Sequence, residues 1–499
     1  MRLDRYILSI DQGTTSSRAV VFDSYGRNIG MAQREFRQIY PRPGYVEHDA
    51  VEILETTIYA MRRAVEYANI SADDIAAVSI TNQRETVVAW DRETGIPICN
   101  AIVWQCRRTA PICEELKAQG MEEYIRNTTG LIIDPYFSGT KMKWIMDNVP
   151  KASELAEKGR LCLGTIDSWL IFSLTDGEAF VTDMTNASRT MLFDIHKLCW
   201  DSKMLETLKV PQTALPKVVP SSGEVGNCSR DVLGTGIPIS GIAGDQHAAL
   251  FGQCCFKPGM MKNTYGTGCF VLMNTGSEPV KSENGLLTTI AWNVGGEVVY
   301  ALEGSAFNAG SAIQWLRDEL KIISSAQECD MLAESVTSSG GLSFVPAFTG
   351  LGAPYWDMYA RGMFIGITRG TGRGEVCRAV LESIALESYD LLATMQSESG
   401  LQGSALRVDG GASKSRFLMQ YQADLLQSPA QRPVCLETTA LGSAMMAGLA
   451  SGVWSDMEEL SSLWKVDIVF EPDYSEEKRC ADITRWHDAV SRCSGWEKK

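Results

Sequence analysis

Only four histidines occur in the 499 residues, none in an HExxH arrangement, and none of the 14 cysteines forms a CxxC pair or alternates with histidine. Neither a zinc-type site nor a disulfide framework is expected, and the thiols should be reduced and mostly buried. No stretch reaches the roughly 18 apolar residues of a membrane-spanning helix. A strand-like run, Tyr6–Ile10, begins almost at once and leaves no room for a signal peptide, so the expected location is cytoplasmic. Basic runs are missing as well: 46 Lys and Arg stand against 61 Asp and Glu, a formal net charge of -15. Such a balance repels a phosphate backbone and an anionic bilayer, so no nucleic-acid partner and no membrane insertion are expected. The chain also lacks GxxxxGK[ST], and no GxGxxG follows its first strand, so any phosphate site must be of another kind.

What is present is 45% hydrophobic residues in a chain long enough for two or three cores, which predicts two large domains. Residues 6–36 read as three short strands, Tyr6–Ile10, Ala19–Phe22 and Ile29–Phe36, separated by a Gly/Thr turn and by Ser24–Asn28. A similar layout returns about 250 residues later. There Met260–Tyr265 leads through Gly266-Thr267-Gly268 into Phe270–Asn274, and a further hairpin closes at Gly295-Gly296. Helices are predicted over Asp49–Asn69, Ser305–Leu320 and Glu375–Met395, the last with Val376, Val380 and Ile384 at helical spacing. The pattern predicts a duplicated α/β architecture, with domains at residues 1–252 and 253–499.

Three glycine elements suit phosphate and nucleoside chemistry. In Asp11-Gln-Gly-Thr-Thr-Ser16, Gly13 lets the backbone approach a ligand while Thr14, Thr15 and Ser16 offer donors. Asp11 could hold Mg²⁺ through water, since hard cations favour carboxylate oxygen. An ordinary hairpin turn would use the same residues, but Gly266-Thr267-Gly268 repeats the arrangement in the second half. Asp409-Gly-Gly-Ala-Ser413 follows the strand-like Ala405–Val408 and precedes a helix with Phe417, Tyr421 and Leu425 on one face. Glycine there admits a ribose or purine; a plain strand-to-helix turn is the alternative.

Further along come Asn82-Gln-Arg-Glu-Thr86, Val103-Trp-Gln105, Asp134-Pro-Tyr-Phe-Ser138, Gly244-Asp-Gln-His-Ala-Ala-Leu-Phe-Gly252, Tyr265-Gly-Thr-Gly-Cys-Phe270 and Gly350-Leu-Gly-Ala-Pro-Tyr-Trp356. With the glycine loops, this order resembles the ATPase core shared by actin, hexokinases, Hsp70-type chaperones and the FGGY carbohydrate kinases. It is most similar to the glycerol-phosphorylating branch of that last family, from residue 6 to about 450. The resemblance implies an α/β fold of two duplicated actin/hexokinase-like (ribonuclease H-like) domains with the active site in the cleft between them. It also implies ATP-dependent conversion of glycerol to sn-glycerol 3-phosphate with Mg²⁺, ADP as product, and a homo-oligomer, dimer or tetramer.

Residue by residue, the resemblance places Arg84 and Glu85 on glycerol hydroxyls, with Tyr136 adding a phenol and Trp104 and Phe270 giving apolar walls. Read alone, Arg84-Glu85 could be a surface ion pair, and the two aromatics core residues. Asp245 and Gln246 complete the ring. Asp245 is the candidate general base and a second candidate for Mg²⁺, although an Asp at a strand end also suits a helix N-cap. Thr14, Arg18 and Thr267 fall on phosphates, and Gly310, Gln314 and Gly411 on ribose and adenine. Gly310 lies inside the predicted helix, where either a ligand or tight packing accounts for it. Ser415 stands where many members have Asn in the adenine-facing turn, so a direct hydrogen bond to the base does not carry over. In the loop 227–236, Gly234-Thr-Gly236 with Arg230 displaced departs from the sugar-bisphosphate site of some bacterial members. His247 is read as structural. Two rivals remain: a family member acting on a pentulose or longer polyol, and a chaperone-like ATP clamp without an acceptor ring.

Overall fold

The computed structural model describes residues 5–497. Strands β1 (Tyr6–Gln12), β2 (Ser16–Phe22) and β3 (Asn28–Glu35) form an antiparallel meander. Helix α1 (Ala50–Ala68) follows; Asp49 caps it by accepting from the Val51 and Glu52 amides, and Asn69 ends it at φ 54°. Strand β4 (Ile75–Asn82) returns parallel to β1, and β5 (Ser222–Cys228) and β6 (Ile237–Gly244) complete a sheet of order β5-β6-β4-β1-β2-β3. From β6 the chain enters α2 (Asp245–Gly252) directly.

Both faces of this sheet are covered, so its strands read as almost unbroken apolar runs. Leu8, Ile10, Val21 and Ile80 pack towards α1, whereas Ile7, Val20, Phe22 and Ala77 pack into a core shared with the second half of the chain. A smaller four-stranded sheet, including 87–91 and 161–165, extends this half.

The second half repeats the path. Strands β7 (Met261–Tyr265), β8 (Cys269–Gly276), β9 (Leu287–Val294), β10 (Glu297–Ala306), β11 (Leu406–Asp409), β12 (Ala430–Pro433) and β13 (Val466–Phe470) lie in the order β9-β10-β8-β7-β11-β12-β13. Here β7 is antiparallel to β8 and parallel to β11, as β1 is to β2 and β4. Helices α3 (Gly310–Asp318), α4 (Arg373–Ser399), α5 (Arg416–Leu426) and α6 (Thr438–Ser451) belong to this half. The expected hairpin at Gly295-Gly296 joins β9 to β10, with both residues at positive φ.

The helix expected over Ser305–Leu320 is shorter. Ser305 is still in β10, pairing with Phe270, and α3 begins only at Gly310. Helix α6 lies across the first sheet: the Ser443 hydroxyl sits 2.9 Å from that of Ser9 and 3.0 Å from that of Ser79. It also crosses α2, so these two helices stand between the sheets and share one core with both.

Candidate active site

The residues expected at the site gather where the C-terminal strand ends of the two sheets face each other. β4 stops at Asn82, and residues 83–86 turn away with Arg84 at φ 58°, so the Arg84-Glu85 pair is a turn rather than the strand-like segment expected. Arg84 is no surface ion pair; it is buried. Its Nη1 donates to both Glu303 oxygens at 2.8 Å, Nη2 donates to the Tyr136 hydroxyl at 2.9 Å, and Nε lies 3.0 Å from Asp245 Oδ1. A guanidinium has five N–H groups. Nη2 gives one of its two to Tyr136, and its other N–H has no hydrogen-bond partner among the described residues.

Glu85 is fully buried, and its Oε1 accepts from Arg189 Nε at 2.8 Å. Its Oε2 is buried with no hydrogen-bond partner among the described residues. A buried carboxylate oxygen in that state is strongly disfavoured unless a ligand donates to it. Tyr136 is oriented by its own amide, which donates to Asp134 Oδ1 at 2.8 Å, and burial pushes its phenol well above the usual value. Trp104 sits edge-on to Tyr136, with ring centroids 5.5 Å apart, and its Nε1 donates to Thr14 Oγ1 at 3.0 Å. Trp104 thereby ties Tyr136 to the first glycine loop. Phe270, on β8, lies with its ring 5.8 Å from the Arg84 guanidinium carbon.

Asp245 is the first residue of α2, while Gly244 occupies the N-cap, so the Asp245 side chain is not spent as a cap. Its Oδ1 accepts from the Gln246 amide at 2.7 Å. Burial raises its pKa above the ordinary carboxylate value, and the Arg84 charge opposes that rise. Gln246 Oε1 accepts from Lys262 Nζ at 2.5 Å, and the same ammonium donates to Thr264 Oγ1 at 3.0 Å and to the Phe270 carbonyl at 3.2 Å. Burial brings Lys262 down to about 8. His247 Nε2 is 3.1 Å from Thr289 Oγ1, and burial keeps its imidazole neutral by holding its pKa well below the usual value.

On the nucleotide side, Asp11 ends the core of β1 opposite Arg18 of β2. Arg18 Nη1 is 3.9 Å from Asp11 Oδ2 and donates to Glu437. Burial raises Asp11 to about 6. The Asp11 carboxylate accepts no hydrogen bond among the described residues, which suits a water-mediated cation contact. No cluster of three His, Cys, Asp or Glu able to hold a metal occurs among the described residues. A Mg²⁺ carried by one or two carboxylates and phosphate oxygens needs none.

Thr14 and Gly13 are partly exposed in the first loop and Thr15 is open to solvent, whereas the Ser16 hydroxyl already accepts from Gln33 at 2.8 Å. In the second loop, the Gly310 and Ser311 amides donate to the Gly266 and Thr267 carbonyls at 3.0 and 3.2 Å. A Cβ on Gly310 would stand 2.6 Å from the Gly266 carbonyl oxygen, so close packing of α3 on this loop accounts for that glycine. Gln314 is exposed on the same helix. At the third element Gly410 has φ 86°, and a Cβ on Gly411 would meet nothing within 4 Å. Asp409 is buried and accepts from Gln253 and Thr438, both at 2.7 Å. Ser415 caps α5 and donates to Asp330 Oδ1 at 2.6 Å, which commits its hydroxyl proton. The 229–236 segment lies at the start of β6, the opposite end of that strand from Asp245.

Glu303, Arg189 and Lys262 are absent from the residues that sequence motifs single out. The signal that marks Glu303 is a charge placed directly after the apolar run Val298-Val-Tyr-Ala-Leu302.

Residues 6–252 match the N-terminal domain of the FGGY family of carbohydrate kinases, and residues 261–451 match its C-terminal domain. The chain is 60% identical to glycerol kinase 2 of Thermotoga maritima over 495 residues, covering 99% of this chain and all of that one. It is 57% identical to glycerol kinase of Caldanaerobacter subterraneus, again over 99% of this chain and 100% of the relative. Among solved structures, a Plasmodium falciparum glycerol kinase with ADP superposes with a TM-score of 0.92 at 36% identity, covering 98% of both chains. A xylulose kinase of Lactobacillus acidophilus reaches 0.87 at 23% identity over 98% of this chain and 97% of that one, a likeness of fold.

Proposed function

The chain belongs to the FGGY family of carbohydrate kinases, and we propose that it transfers the γ-phosphoryl group of ATP to glycerol, giving sn-glycerol 3-phosphate and ADP. The observation that carries this reading is the pair formed by Glu85 Oε2, buried without a partner, and the Arg84 Nη2 N–H that Tyr136 does not take. One accepts and one donates side by side, as a polyol requires. Trp104 and Phe270 wall the site against the carbon chain.

Asp245 takes the proton of the attacking hydroxyl, and burial makes its carboxylate more basic than an ordinary one. The Thr14 and Thr267 loops and Arg18 receive the phosphates, and the open space over Gly411 receives the nucleoside. Asp11, with Asp245 as a second candidate, would hold Mg²⁺, which supplies charge neutralisation at the phosphates. Closure of the two halves excludes water, the competing nucleophile. Residues 1–252 then form the acceptor and first phosphate domain, and 253–499 the second phosphate and nucleotide domain, with α6 lent to the first sheet. Work in the cytoplasm as a dimer or tetramer belongs to the same reading, and light scattering on the purified chain reads the assembly.

A coupled ADP-release assay with glycerol, xylulose, erythritol and water tests the function. Glycerol should exceed the other acceptors by orders of magnitude; equal or greater turnover with xylulose would overturn the choice of substrate. An ATP clamp would show no acceptor dependence.

A further inference from the structure

We propose that Glu303 is a positioning residue of the acceptor site, a carboxylate from the second sheet that fixes Arg84 and, through Arg189, Glu85. The inference rests on the glycerol reading above. Glu303 is fully buried on β10. Both its oxygens accept from Arg84 Nη1 at 2.8 Å, and the Arg189 guanidinium approaches the same two oxygens at 3.2 and 3.3 Å. Arg189 in turn holds Glu85 Oε1 at 2.8 Å. One carboxylate therefore sets both arms that meet the acceptor.

Geometry on the strand supports a role beyond filling space. In the β8–β10 ladder Leu272 faces Glu303 and Phe270 faces Ser305, so Phe270 and Glu303 point to the same face of the sheet. The acceptor wall and the carboxylate come from one strand pair. Arg84, Glu85 and Arg189 all come from the first half of the chain. The fork is thus locked only when the two halves are together, which couples a finished acceptor site to their juxtaposition.

Charge makes Glu303 hard to replace. Three buried cations, Arg84, Arg189 and Lys262, are balanced by the carboxylates Glu85, Glu303 and Asp245. A buried charge left without its partner is strongly disfavoured. Without Glu303, Arg84 has Asp245 as its nearest carboxylate and turns its free N–H away from the acceptor.

Steady-state kinetics on the full chain bearing Glu303→Gln or Glu303→Asp, varying glycerol and ATP separately, test this. Gln removes the charge; Asp keeps it but withdraws the oxygens by about one C–C bond, and serves if the Gln variant does not fold. The KM for glycerol should rise about tenfold or more while the KM for ATP stays within about twofold. In an Arg84→Ala background, the same Glu303 substitution should raise the KM for glycerol by a smaller factor than in the parent, because only the part that runs through Arg189 and Glu85 remains. Equal changes in both Michaelis constants, or full multiplication of the two effects, would overturn the inference and leave the proposed function standing. A parent chain inert towards glycerol would overturn both.

Discussion

Gly252 and Gly442 face each other where α2 crosses α6: a Cβ on Gly442 would lie 2.7 Å from the Gly252 amide nitrogen, and one on Gly252 would lie 2.8 Å from that of Gly442. The neighbouring turns are tighter still, with the Ala248 carbonyl oxygen 1.8 Å from the first position and the Thr438 carbonyl oxygen 2.0 Å from the second. Backbone meets backbone here, so no side chain can yield. Since α2 carries Asp245 and α6 rests on the first sheet, this crossing fixes Asp245 relative to both halves.

Gly442→Val should therefore cost on the order of 3 kcal/mol or more, the upper end for overpacking, because backbone must move. Thermal denaturation checks this. A variant melting within a degree or two of the parent would show that the helices can separate freely.

Arg84→Ala and Trp104→Ala should raise the KM for glycerol far more than that for ATP. For Arg84 the loss in kcat/KM should be about 2 to 4 kcal/mol, the range for removing one partner of a buried charge-assisted contact. Trp104 also reaches Thr14, so a small secondary effect on ATP is expected for that variant alone.

Much of this site is legible in the amino-acid sequence itself. The turns expected at 13–15, 266–268 and 410–413 lie at strand ends, because adjacent glycine and hydroxyl residues mark a turn locally. Asp49 and Asn69 likewise bracket α1 as cap and terminator. What the sequence hides is made by distance: Arg84 meets Glu303 across 219 residues, and Glu85 meets Arg189 across 104. Ser305–Ala309 read as helix because alanine and serine tolerate one, yet pairing with β8 holds Ser305 and Ala306 extended. Gly310 is understood only once the Gly266 carbonyl is seen to lie against it.

Gly411→Val should weaken ATP binding at least tenfold while glycerol still protects the protein from heat. Its Cβ would enter open space, so the variant should fold, and any loss reports on what occupies that space. Calorimetric titration with ATP decides; unchanged affinity would remove this turn from the nucleotide site.

Asp11 offers a pH test. Its folded pKa of about 6 lies above the ordinary value of 3.8, so it favours the folded state most fully below the ordinary value, and that contribution is lost as pH rises through 6. Asn is neutral throughout. The stability of Asp11→Asn relative to the parent should therefore grow between pH 4 and 7, by at most about 3 kcal/mol, since each tenfold change in proton affinity is worth ~1.4 kcal/mol. Mg²⁺ with nucleotide should reduce the difference. A gap between the two that stays flat across this range would show that Asp11 is not buried against its charge.

The central claim is that the Asp245 carboxylate receives the proton of the attacking hydroxyl, and Asp245→Asn tests it most directly. Asn keeps the shape and can still hydrogen-bond a hydroxyl, but it cannot take up the proton. Turnover at saturating glycerol and MgATP, measured beside the glycerol-induced shift in melting temperature, separates binding from chemistry. The expected result is a fall in kcat of about 10² to 10⁴-fold with the glycerol shift preserved. Retention of more than about a tenth of parental turnover would contradict the claim and leave Asp245 as a residue that only positions the acceptor, as a loose phosphoryl-transfer transition state would permit.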